Sequence, residues 1–228
     1  LPPAAGRHAV ISIRRHPRST WTFDRLSENN WAPASAIETI HQLIRERANF
    51  LIVGGTGSGK TSVLAACLST LPEAERVLLI EDVDELPIPN KISSKLLTRK
   101  DSNGVLRDID QTELVRQALR MRPDRIVMGE IRGGEAKDLL MAFATGHSGC
   151  MGTLHADSAR QALLRLEMLI QIGAPQWNIQ TVRTLIRLSI HAVIVVTRTA
   201  DGSRKLSGIH RVVSLEDSGF LLENLLTL

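Results

Sequence analysis

Apolar residues along the chain follow two spacings. Short continuous runs at 49–53, 76–80, 125–128 and 149–154 are bounded by Gly, Pro or charged residues and predict buried strands. Between them, apolar positions recur every three or four residues and predict helices over 34–48, 61–71, 111–121, 134–145, 158–173 and 178–188. The first of these places Ile37, Ile40, Leu43 and Ile44 on one face with Ser35 as its cap, and Pro72 stops the second. Residues 86–109, punctuated by Pro, Ser and Asn, read as loop with a strand near 95–98. Strand-like runs at 192–198 and 206–215, joined at Asp201-Gly202-Ser203, predict a hairpin. Near the start, 9–13 alternates like a strand, and the basic run 14–18 reads as a solvated linker. Strands alternating with helices predict an α/β domain whose mainly parallel sheet is flanked by helices, with an antiparallel C-terminal hairpin.

Composition narrows the partners. The 228 residues are 43% hydrophobic and 23% charged, which suits one globular domain with a short extra piece. Aromatics make up 3%, with no Tyr, so the core is aliphatic and the stacking platforms of single-strand binders are not expected. A net charge of +4 is spread rather than clustered, which fits a polyphosphate ligand as well as any nucleic acid or membrane. Cys67 and Cys150 stand alone, without metal-ligand spacing, and read as buried small residues of a reduced, cytosolic protein. No run is long and apolar enough to span a bilayer. The absence of an initial Met reads as a fragment or processed chain.

Chemistry enters at the end of the first buried strand. Gly54, Gly55, Thr56, Gly57, Ser58, Gly59, Lys60 and Thr61 satisfy G-x-x-x-x-G-K-[ST] in full, between a predicted strand and a predicted helix. Glycines let the backbone wrap an anion, and the following helix adds its positive end. Lys60 is expected on the β- and γ-phosphates of ATP, and the Thr61 hydroxyl on Mg²⁺. Hydrolysis also needs a group that positions water. Glu130 ends the strand 125–128 and is the first candidate; Glu81 and Asp82 end another apolar strand. Gly129 stands where an Asp commonly precedes the catalytic Glu, so Mg²⁺ is expected on Thr61, with Glu81 or Glu130 acting through water. His155, at a further strand end, is a candidate γ-phosphate sensor through its Nε2–H; with His147 it lacks a third ligand for zinc.

Four blocks occur in order: the glycine loop; Leu79-Ile80-Glu81-Asp82; 126–136, with Gly129-Glu130 inside it; and Thr145-Gly146-His147 followed by Thr153-Leu154-His155-Ala156. Together they resemble the Walker A, Asp box, Walker B and His box of the type II/IV secretion ATPase superfamily. The stretches 118–125 and 133–166 look most like its CpaF group of Tad/Flp pilus assembly ATPases. The resemblance implies a RecA-like motor domain over 25–228, with 1–24 as the remnant of an N-terminal domain and linker. It further implies a homohexamer at the cytoplasmic face of the inner membrane that drives pilin or substrate movement through a membrane platform protein. Glu130 would be the general base, Glu81 would assist at Mg²⁺ and water, and His155 would contact the γ-phosphate side. The chain departs from the family pattern at Ser148 and Asp157, and in reading Val83-Asp84-Glu85 where other groups have a Pro-containing Asp box.

Ring ATPases commonly recruit a neighbour's cations. Arg14, Arg15, Arg120, Arg122 and Arg132 are the candidates near the expected site, Arg132 for a structural role at Glu130. Two other functions fit the same residues: a regulatory scaffold that binds nucleotide without turnover, and a conjugation-type nucleic-acid transfer ATPase. Low aromatic content and the lack of a basic stripe make direct nucleic-acid binding the weaker reading.

Overall fold

The structure is a computed structural model and describes residues 20–101, 104–216 and 219–226. The expected strand at 9–13 and the arginines Arg14 and Arg15 lie outside the described residues.

Eight strands form one sheet in the order β3-β2-β4-β5-β1-β6-β7-β8. They are β1 (Phe50–Val53), β2 (Val77–Glu81), β3 (Ser94–Leu97), β4 (Arg125–Met128), β5 (Met151–Leu154), β6 (Ala192–Arg198), β7 (Arg204–Glu216) and β8 (Gly219–Leu226). β1 to β6 run parallel, while β7 and β8 join antiparallel. The helices are α1 (Phe23–Glu28), α2 (Ala34–Arg45), α3 (Lys60–Leu68), α4 (Gln111–Ala118), α5 (Glu135–Ala144), α6 (Ala159–Gly173) and α7 (Ile179–Ser189).

The apolar strands are buried on both faces, and their alternate residues feed two separate cores. Leu51 and Val53 of β1 join Leu78, Ile80, Ile126 and Met128 under α4 to α7. Phe50 and Ile52 join Leu79, Val127 and Met151 under α1 to α3. A charge is also buried at the sheet's amino edge. Arg125, 2% exposed, pairs with Glu75 and donates to the carbonyls of Gly149 and Ile44, each at 3.2 Å. Both cysteines are buried, and burial pushes the Cys150 thiol up to about 11.

Several element ends differ from the periodicity reading. Ser35 lies inside α2; Pro33 is the N-cap, its φ of −67° set by the ring, with no side-chain cap bond. α3 stops at Leu68, not at Pro72, because Ser69 and Thr70 turn their hydroxyls back onto the carbonyls of Ala66 and Cys67, each at 2.8 Å. The tail is three strands rather than a hairpin: β8, in which Phe220 alone is buried, carries no clean alternation. α1, six residues long, is too short to show a period. The expected division after residue 24 falls inside α1, whose Phe23 and Leu26 are both buried in the second core.

Candidate active site

Parallel strands deliver their carboxyl ends to one edge of the sheet, the usual ligand side of open α/β folds. The glycine loop leaves β1 there, Glu81 ends β2, Glu130 follows β4 and His155 follows β5. β5 lies between β1 and β4, so Glu130 is not on the strand next to the glycine loop; His155, one strand closer, spans the gap.

The loop needs its glycines for two reasons. Gly57 and Gly59 hold φ of 73° and 97°, the left-handed region that disfavours side chains. A Cβ on Gly54 would lie 2.2 Å from the Val196 carbonyl oxygen of β6. Inside the loop, Lys60 is 7% exposed and its ammonium donates to the carbonyls of Gly54 and Gly55 at 2.9 and 2.8 Å. Loss of hydration lowers its pKa, and Glu130 acts in the opposite direction.

Lys60, His155 and Glu130 form a continuous chain. His155 Nδ1 lies 3.5 Å from Lys60 Nζ, and its Nε2 lies 2.9 Å from Glu130 Oε1. A neutral ring protonated on Nε2 satisfies both contacts, donating to the carboxylate and turning a lone pair to the ammonium. Desolvation, then the Lys60 charge, lowers the His155 pKa and favours that neutral form. The Nε2–H expected to face a phosphate is therefore engaged by Glu130.

Glu130 is held from its other side by Arg132, whose guanidinium also reaches Asp82 at 3.3 Å. This is the structural role the sequence suggested for Arg132. Arg132 is in turn placed by Glu135, 7% exposed, whose Oε1 accepts the N–H of Arg132 at 2.6 Å and of Gly133 at 2.7 Å. Gly129 has a steric explanation: a Cβ there would lie 2.9 Å from Glu81 Cγ. The acid missing before Glu130 would occupy the space that Glu81 fills.

Glu81, 4% exposed, accepts the N–H groups of Leu86 and Glu85 on Oε1 at 3.0 and 3.3 Å. Its Oε2 is paired with the Lys95 ammonium at 3.3 Å. Burial raises its pKa despite these contacts. Thr61, Glu81, Asp82 and Glu130 line one cavity of about 590 Å³ and supply it with a set of hard oxygen donors. That set fits Mg²⁺.

Other expected residues lie elsewhere. His147 is at the amino end of β5, with Nδ1 3.1 Å from the Ala142 carbonyl at the close of α5. Arg120 and Arg122 are exposed on the segment that leads into the amino end of β4, opposite Glu130. Conversely, two arginines that sequence reasoning passed over reach the loop from the hairpin. Arg198 and Arg204 are register partners on β6 and β7. Arg204 donates its Nε–H to the Gly57 carbonyl at 3.0 Å and lines the cavity. The signal available was their position, three residues before and two residues after the Asp201-Gly202 turn.

The family described as type II/IV secretion system protein matches residues 1–208. The type IV secretion system protein PtlH of Bordetella pertussis is 42% identical over an alignment of 232 residues, covering 90% of this chain and 68% of PtlH. The conjugal transfer protein TrbB of Rhizobium radiobacter is 32% identical over 213 residues, 92% of this chain and 62% of TrbB. Among solved structures, the VirB11 ATPase of the Brucella suis type IV secretion system, in complex with sulphate, superposes with a TM-score of 0.71. It is 28% identical and covers 82% of this chain and 53% of its own. The chain spans roughly half to two thirds of the length of the curated relatives it matches.

Proposed function

The chain belongs to the family of type II/IV secretion system proteins, and on that premise we propose that it is the ATP-hydrolysing motor domain of a secretion or conjugation machine. The observation that carries this reading is the Lys60–His155–Glu130 chain, which ties the phosphate loop to a carboxylate across one intervening strand. Lys60 would leave the Gly54 and Gly55 carbonyls for the β- and γ-phosphates, which replace them as acceptors. Glu130, fixed by Arg132 and His155, would orient the attacking water and take its proton. Thr61 would hold Mg²⁺ directly, with Glu81 or Glu130 acting through water, and the ion would neutralise charge on the phosphates.

The names of the relatives favour type IV secretion or conjugal transfer over the narrower Tad/Flp pilus reading and its CpaF group, which we keep as the alternative. We further propose that the full protein works as a homohexamer against an inner-membrane platform protein on the cytoplasmic side. Among the described residues no helix is long and apolar enough to cross a membrane. The segment up to the start of α1 would then be the remnant of a preceding domain and its linker, with the linker's end packed onto the motor domain through Trp21 and Phe23. The genes beside this one would separate the two machines. The activity is tested with Lys60→Ala: ATP turnover should vanish and nucleotide affinity should fall in calorimetry. Normal turnover with unchanged affinity would remove the loop from the mechanism.

A further inference from the structure

The chain has four Phe, three Trp and no Tyr. The Phe residues and Trp31 are buried in the two cores, and Trp177 packs against the first. Trp21 differs: half-buried, it packs partly on the second core and also lines the same cavity as Lys60, Thr61, Ser62 and Arg204. It stands one residue before Thr22, the N-cap of α1, and α1 packs on α3, the helix that starts with Lys60 and Thr61. The Arg25 guanidinium lies over the indole, 4.2 Å from the ring centroid.

The cavity lining combines two chemistries: the polar and charged groups Lys60, Glu81, Glu130 and Arg204, and the apolar face of the Trp21 indole. A nucleotide with its terminal phosphates at Lys60 leaves its base to be held by the rest of the lining, and a planar heterocycle is the part of it that an indole binds well. The cavity, at about 590 Å³, has the volume usual for sites of small organic ligands.

We propose that Trp21 is the nucleobase platform of this site, with Arg25 over the ring holding the indole in place as a positioning residue. This rests on the phosphate reading of the loop given above. Stacking on an indole tolerates any base, so Trp21 would supply affinity for nucleotides over inorganic phosphates more than choice between bases.

Binding of Mg²⁺-ADP and of Mg²⁺-pyrophosphate should be measured by calorimetry on the wild-type chain, Trp21→Ala and Trp21→Phe. Trp21→Ala should weaken ADP roughly tenfold and leave pyrophosphate unchanged, and Trp21→Phe should restore most of the loss. Indole emission of the wild type should change on adding ADP but not pyrophosphate, and Trp21→Phe should lose that change. Equal weakening of both ligands, or of neither, would overturn the proposal while leaving the phosphate reading intact. If the wild type binds neither ligand, the phosphate reading fails and the platform with it.

Discussion

His155 Nε2 lies 2.9 Å from Glu130 Oε1, while the opposite nitrogen of the same ring lies 3.5 Å from the Lys60 ammonium. One imidazole thus joins the proposed phosphate anchor to the proposed base. In Glu130→Gln, shape is kept and the base is lost, so turnover should fall by about 10² to 10⁴ while nucleotide still binds. His155→Ala should cost less, about tenfold, because it loosens Glu130 without removing it. The double variant should be little worse than Glu130→Gln alone. Single-turnover kinetics would check this; wild-type turnover in Glu130→Gln would pass the role to Glu81.

Arg204 donates from its side chain to Gly57 inside the loop. Arg204→Ala should raise KM for ATP about tenfold with a much smaller change in kcat, since the contact shapes the binding loop and does not reach Glu130. Arg204→Lys should recover only part, because an ammonium lacks the planar fork. A loss confined to kcat would contradict this assignment.

Among the described residues, Glu75 is the one carboxylate paired with the buried Arg125; its own side chain is 17% exposed and also binds Arg47. Glu75→Ala leaves that guanidinium without a carboxylate and should cost about 2–4 kcal/mol in urea denaturation, at or below the range for a fully buried pair because Glu75 is partly solvated. The exposed pair of Arg45 with Glu38 is the control, and Arg45→Ala should leave the midpoint unmoved.

Asn49 donates its N–H to His191 Nδ1 at 2.9 Å, a contact that only the unprotonated ring can accept. Desolvation, then Arg187, lowers the His191 pKa; His155 and His210 are lowered as well. The unfolded chain therefore binds protons first as pH drops below about 6.5. Stability should be full above that pH and decline as pH falls toward the folded values. Urea midpoints measured from pH 8 to 5 should show this, with a shallower decline in His191→Gln, whose amide oxygen can replace Nδ1.

Much was legible in the residue order. The positions of the eight-residue glycine loop, Glu130 and Glu81 were readable because they depend on local geometry: a strand end, a tight turn, a helix start. The α/β class followed from the alternation of apolar runs with helical spacing. The strand order was not readable, because it depends on which apolar faces pack together rather than on any one segment. That order puts β5 between β1 and β4 and so makes His155 a bridge. It also carries the tail hairpin over the loop, turning Arg204 from a turn-flanking residue into part of the cavity wall. Gly129 shows the same division: the sequence marked an absent acid, and only the packing of Glu81 against that glycine, 2.9 Å from where a Cβ would stand, supplied the reason.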